Sequence, residues 1–164
     1  MTQAERYIKL AALTGRVDTL DSSYHAAFYL LSYDPEVYAV AERYVTHDGI
    51  SFPGLKRSVR GFDEQTRQII DVAHNLFSWT SKCNVTPFDI SRLRYPYMEL
   101  VYNACQIAVG EVQIVIQKDC DGRPTMVLDD AAYQQAKRIC IDMEQFQGSM
   151  MSEMEHDETD ELEP

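Results

Sequence analysis

The chain has 164 residues and a formal net charge of −11, with 45% of its residues hydrophobic and 25% charged. This composition is typical of a globular domain that is long enough to bury its own core. The acidic balance opposes tight binding to duplex DNA, which depends on Lys and Arg. No apolar run approaches the ~18 residues that a membrane-spanning helix needs.

The four cysteines are far apart in the sequence and form no Cys-x-x-Cys motif: Cys83, Cys105, Cys120 and Cys140. The first ten residues, MTQAERYIKL, lack the basic and apolar regions of a signal peptide. We therefore expect a cytoplasmic protein with reduced thiols. Cys105 and Cys140 fall on apolar helical stripes, which predicts that both are buried.

Capping residues and breaks divide the chain into helical segments. Thr2 and Glu5 form a capping box, Asp34-Pro35 separates two helices, and Asp63 precedes the strongest amphipathic pattern. The stretch from His47 to Arg60 contains glycine and proline breaks and is predicted to be a loop. The predicted helices cover residues 4–12, 22–33, 35–46, 63–77, 87–93, 96–108 and 130–147.

The pattern changes after Gly110, where residues 112–117 are rich in β-branched side chains. With a turn at Asp121-Gly122 and a return segment at residues 125–128, the region 111–128 is predicted to form a β-hairpin. The alternative is that residues 111–117 extend the preceding helix. The overall prediction is a mainly α fold, a compact bundle of about six helices with a short C-terminal β-hairpin.

Residues 1–148 are expected to form a single domain, followed by an acidic tail at 149–164. Residues 153–163 contain seven carboxylates, which leaves a charge of −4 for the rest of the chain. The tail has too little apolar surface to compensate for the entropy lost on ordering, so it is predicted to be disordered by itself.

Three stretches carry a resemblance to a known family: Glu5-Arg6-Tyr7, the segment 27–38, and Ala73-His74-Asn75-Leu76-Phe77. Over residues 5–110 the chain resembles an uncharacterised family of small helical proteins, a domain of unknown function, from Gram-positive bacteria and their mobile elements. Members of that family have Phe where this chain has His74. The resemblance implies a bacterial, cytoplasmic, helical protein and supplies no activity.

Asp71 and His74 form a polar pair within an apolar helical stripe. Residues three apart share a helix face, so the two side chains could form a catalytic or metal site with His25 as a further donor. The alternative is that His74 packs at the edge of the core. Because a metal site normally needs at least three ligands, we predict no metal and no cofactor. Asn75 lies beside apolar residues and predicts either a structural hydrogen bond or a ligand contact.

Two charged segments are candidate binding surfaces. Lys56, Arg57 and Arg60 concentrate positive charge, while the tail supplies acidic residues such as Glu155, Asp157 and Glu158. The first segment could bind nucleic acid or another anion, although the net charge opposes this. The second could occupy a basic surface of a protein partner.

No set of residues has the spacing of a known catalytic motif, so the sequence favours a non-enzymatic binding or regulatory protein. The expected partner is an unidentified protein that binds an acidic surface of this chain. The chain could also form a homodimer. Two alternatives stay open: a small metal-dependent hydrolase using Asp71 and His74, and weak nucleic-acid or anion binding through the loop from Lys56 to Arg60.

Overall fold

The computed structural model describes the backbone of residues 1–160 and the side chains of residues 1–151. The described chain divides into two compact units, the first ending at Asp129 and the second beginning at Asp130. It contains eight α-helices: α1 (Gln3–Leu13), α2 (Ser22–Tyr33), α3 (Pro35–Ala41), α4 (Phe52–Ser58), α5 (Glu64–Phe77), α6 (Pro87–Ser91), α7 (Tyr97–Ala108) and α8 (Ala131–Asp160). The predicted mainly α fold is confirmed.

Side-chain caps begin most of the helices in the first unit. The predicted capping box of α1 is present: Thr2 Oγ1 accepts from the Glu5 N–H, and the Glu5 carboxylate accepts from the Thr2 N–H. Asp34 accepts from two N–H groups at the start of α3, and Asp63 accepts from the Thr66 N–H in α5. Such caps satisfy backbone donors that have no partner within the helix, so these helix starts could be read from the sequence.

Helix α2 lies at the centre of the first unit. Its residues 26–32 are all buried, and it packs against α1, α3, α5 and α7. The largest side chains that these helices bury completely around it are Phe28, Leu30 and Leu31 of α2 itself, Leu10 of α1, Ile70 of α5 and Ile107 of α7. A helix that is apolar all round is stable only when other elements cover every side, and the bundle provides that cover.

The buried carboxyl end of α2 is satisfied by a charged side chain from α1. Arg6 is only 6% exposed, and its guanidinium donates to the carbonyl oxygens of Ser32, Tyr33 and Met1, each at 2.6 Å. The last carbonyls of a helix lack intrahelical partners and lie at the negative end of its dipole. Arg6 therefore joins α1 to the end of α2.

The predicted loop from His47 to Arg60 is wrong. Strand β2 (Gly49–Ile50) and α4 lie in this stretch, with Pro53 in the first turn of α4. Strand β2 pairs antiparallel with β1 (Val45–Thr46), so the helix predicted over residues 35–46 is also wrong at its end, and α3 stops at Ala41. Proline is tolerated in the first turn of α4 because the first N–H groups of a helix are unpaired anyway. Phe52 and Leu55 of α4 are buried, and this tertiary packing holds a helix of seven residues that its local pattern did not reveal.

Residues 111–128 contain the predicted β-hairpin, so the alternative of a helix extension is wrong. Strand β3 (Gln113–Lys118) pairs antiparallel with β4 (Pro124–Asp129), with Val115 opposite Val127. Gly110 ends α7 with a positive φ of 81°, which a glycine adopts without steric cost. Strand β4 lies against α1, and Ile114, Met126 and Leu128 pack on the core.

Helix α8 extends well beyond its predicted end. We expected it to stop before Gly148, yet the helical backbone runs through that residue to Asp160. A glycine inside a helix costs only about 1 kcal/mol relative to alanine, which the Glu, Gln and Met residues around it can offset. Of the expected disordered tail, residues 149–160 continue the helix and residues 161–164 lie outside the described residues. None of the described helices is long and apolar enough to cross a membrane.

Replacing Arg6 is expected to destabilise the first unit. Arg6→Met keeps the length of the side chain but removes the donors to Ser32 and Tyr33, so the free energy of unfolding should fall by about 3 kcal/mol. Lys9→Met on the exposed face of the same helix is the control and should change it by less than about 0.5 kcal/mol. Urea denaturation measures both, and equal effects would contradict the role given to Arg6.

Gly54→Ala is expected to destabilise the protein even though alanine favours helix. A methyl group at Gly54 would lie 2.6 Å from Cε1 and 2.8 Å from Cδ1 of Tyr44, so the ring must move. We expect a loss of about 2 kcal/mol in thermal or urea unfolding. Gly61→Ala, where no atom lies within 4 Å of the new methyl group, should cause no comparable loss.

Candidate functional site

A row of exposed apolar side chains runs along α8. Ile139, Met143, Phe146 and Met150 are 51%, 57%, 66% and 48% exposed, and they line one shallow surface with Asp142 and Gln147. These four residues are separated by four, three and four positions, which places them on one face of the helix. We call them the α8 row.

Every side chain from Gln134 to Met151 is exposed, and Tyr133 is partly buried. The sequence predicts this apolar stripe, and we interpreted the stripe as part of a buried core. For the same reason Cys140 was expected to be buried. That expectation is wrong, because Cys140 is exposed. An amphipathic pattern shows that a helix has an apolar face, but it cannot show whether another part of the same chain covers that face.

Charge is distributed unevenly along α8. Lys137 and Arg138 lie in its first third, Asp142 and Glu144 follow, and the seven carboxylates of residues 153–163 come after them in the sequence. The candidate residues Glu155, Asp157 and Glu158 belong to this last segment, and their side chains lie outside the described ones. The α8 row therefore lies between a basic and an acidic segment.

Asp71 forms an ion pair with Lys56, which the sequence placed in a different candidate site. Its Oδ1 lies 2.6 Å from Nζ of Lys56, and both side chains are 28% exposed. The pair joins α5 to α4. The structure thus brings together one candidate from the basic segment and one from the Asp71–His74 pair, which neither local pattern indicated.

His74 lies next to this ion pair, and its ring stacks on Phe52 with the ring centroids 4.6 Å apart. Its Nδ1 is buried and has no hydrogen-bond partner among the described protein groups. Burial lowers the pKa of His74 below its usual value, the positive charge of Lys56 lowers it further, and Asp71 opposes both effects. The ring at neutral pH is therefore an uncharged group packed at the edge of the core.

His25 lies apart from that pair, in contact with α1. Its Nδ1 is 2.5 Å from the Tyr7 hydroxyl, and the two rings stack. Burial lowers the pKa of His25 and raises that of Tyr7. His25 also lines a cavity of about 300 Å³ with Ser22, Ile107, Gly110 and residues 112–114. Among the described residues, no group of three or more His, Cys, Asp or Glu side chains could hold a metal ion.

Asn75 makes a structural hydrogen bond. Its side-chain amide donates to the carbonyl oxygen of Ser81 at 2.9 Å, across the loop that follows α5. Ser81 is partly buried, and an amide near the end of a helix can supply the donor that a shielded loop carbonyl needs. Asn75 thus orders the connection to α6.

The basic candidates do not form a loop. Lys56 and Arg57 belong to α4, Arg60 follows its end, and both arginines are exposed. Arg92 and Arg94 line a different cavity, also of about 300 Å³, with the acidic residues Glu64 and Asp89. Arg92 also lies over the Phe88 ring at 5.6 Å. Lys56 is paired with Asp71, so only part of the predicted basic surface faces solvent.

A second exposed apolar surface belongs to the first unit. Phe88, Tyr95, Met98 and Tyr102 are 66%, 84%, 51% and 55% exposed, and the last three line a surface cavity of about 410 Å³. The sequence did not indicate this surface, because the apolar residues of the predicted helix 96–108 were expected to be buried, as Cys105 was. The buried face of α7 is formed by Leu100, Val101, Ala104 and Ile107, which also leaves Cys105 exposed rather than buried.

Comparison of the chain with protein-family models, with curated proteins and with solved structures finds no match. The resemblance over residues 5–110 therefore stays a prediction.

The free energy of unfolding is expected to fall as the pH is lowered and His74 becomes protonated. Its pKa is lowered in the folded state, whereas the unfolded state should protonate near 6.5. The stability contributed by the neutral ring is thus present above about pH 6.5 and lost as pH falls through the folded-state pKa. In His74→Phe the loss of unfolding free energy between about pH 7.5 and about pH 5.5 should be smaller than in the wild type.

Urea denaturation at the two pH values measures this difference. His47→Phe is the control, because the His47 side chain is 77% exposed and its removal does not alter a buried ring. An identical pH dependence in the wild type and His74→Phe would show that His74 is not an uncharged packed group.

Proposed function

We propose that this chain is a non-enzymatic binding protein that engages a protein partner through α8. The observation that carries the proposal is the exposure of the α8 row on a helix of 30 residues. Helices in water take most of their stability from packing of an apolar face, and contiguous apolar patches on a protein surface usually mark interaction sites. A partner that covers the row would supply the missing packing.

The acidic segment beside the row adds a second element of recognition. Residues 153–163 contribute seven carboxylates, so a partner that covers the row and has a basic rim would be attracted from a distance. The proposal keeps the acidic surface expected from the sequence. A regulatory role is also part of the proposal, and its location in the cytoplasm of a bacterium depends on the family resemblance over residues 5–110.

The two alternative functions have less support than binding of a protein partner through α8. For a hydrolase, Asp71 would have to act while paired with Lys56, and His74 while stacked on Phe52. For nucleic-acid or anion binding, Arg57 and Arg60 remain as exposed cations. No observation favours either over binding through α8.

The proposal predicts that capture of a protein depends on the α8 row. Full-length wild type, Phe146→Glu and Ile141→Glu are each immobilised, incubated with lysate of the host and analysed by quantitative mass spectrometry. Phe146→Glu places a charge in the row and should reduce capture at least tenfold. Ile141→Glu makes the same chemical change on another face of α8, where Ile141 is 42% exposed, and should retain capture.

Equal capture by all three chains would contradict the proposal. A chain that ends at residue 152 keeps the whole α8 row through Met150 and removes the seven carboxylates of residues 153–163, so it separates the contribution of the acidic segment. If that chain retains the partner, and the retention no longer depends on salt, the row provides the contact and the carboxylates provide long-range attraction.

A further inference from the structure

The α8 row continues towards the start of the helix with two smaller residues. The complete series has alternating spacings of four and three and is formed by Ala132, Ala136, Ile139, Met143, Phe146 and Met150. A spacing that averages 3.5 residues keeps an apolar seam facing a partner helix over many turns, which is the pattern of a coiled coil. The seam covers nearly three heptads, and residues 131–151 span about 30 Å. Another helix with the same repeat would therefore fit the row.

The sizes of the seam residues indicate the direction of that helix. They are small at the beginning of α8 and large towards its end. If a second α8 runs antiparallel about a centre at residue 141, each small residue faces a large one. The facing pairs are Ala132 with Met150, Ala136 with Phe146, and Ile139 with Met143. A parallel pair in register would instead set alanine against alanine and Phe146 against Phe146, leaving space at one end and crowding at the other.

Charge favours the same direction. In the antiparallel arrangement the carboxylate-rich ends of α8, residues 153–160 of each copy, lie at opposite ends of the pair. A parallel arrangement would bring these two segments, with five carboxylates each, to the same end, where like charges repel.

We propose that the α8 row is covered by a second copy of this chain, so that two α8 helices pair antiparallel over residues 131–151. The inference rests on the proposed function, since it names the partner of that same surface. A self-complementary contact of this kind is isologous and closes at two chains. It leaves Ile141 and Gly148 on the side of the helix away from the partner.

Self-association is tested with the purified full-length chain by sedimentation equilibrium between about 1 and about 100 µM. We expect a monomer–dimer equilibrium in the wild type. Phe146→Glu buries two charges in the dimer and should weaken it by about a hundredfold, whereas Ile141→Glu should change it by less than about threefold. Circular dichroism of each variant verifies that the helices of the first unit are intact.

Direction is tested by disulfide formation in a background where Cys83, Cys105, Cys120 and Cys140 are replaced by Ser. One chain carries Ile139→Cys and the other Met143→Cys, and the two are mixed and oxidised. Antiparallel pairing brings residue 139 of one copy to residue 143 of the other and gives a mixed disulfide. Parallel pairing in register joins identical positions and gives only the two homodimers, which would overturn the proposed direction.

A wild type that stays monomeric over the whole concentration range would overturn pairing with a second copy. The lysate experiment then decides the proposed function separately. If capture of another protein still depends on Phe146, α8 is a binding surface for that protein. If it does not, both proposals fail. A dimer that Phe146→Glu does not weaken would place self-association elsewhere and also overturn the inference.

Discussion

The first unit depends on the complete burial of α2. Residues 26–32 lie in its interior, and four other helices cover this segment. Burial on every side also hides the carbonyl groups at the carboxyl end of α2, which cannot then be satisfied by water. Arg6 resolves this conflict, since its guanidinium donates to Ser32 and Tyr33. Its charge is compensated by the dipole of the helix that it caps.

The same packing explains why the predicted catalytic candidates do not act together. Covering α2 requires α5 to present its apolar face inward, and α4 packs on α5 with Lys56 against Asp71. His74 then occupies the margin of the core, stacked on Phe52, while His25 lies beside Tyr7. The polar residues near the core of this unit serve mainly to join helices, and they leave recognition to surfaces that the core does not use.

Helix α8 differs from the helices of the first unit in the exposure of its apolar residues. In the first unit α2, α5 and α7 each bury an apolar face against neighbouring helices, whereas all four side chains of the α8 row are exposed. Two properties of the row, its regular spacing and its gradation from small to large residues, are more specific than a generic apolar patch. Both concern the fit to another helix, and this is why α8 is the basis of the proposed function and of its proposed partner.

The sequence alone determined the capped helix starts, the hairpin after Gly110 and the apolar stripes, because caps, turns and periodicity are local properties of the backbone. It could not identify α4, which is held by the burial of Phe52 and Leu55, or the continuation of α8 through Gly148. Only the tertiary structure decided which stripes are covered. It brought Lys56 to Asp71 and left Phe146 exposed, because burial depends on contacts between residues that are distant in the chain.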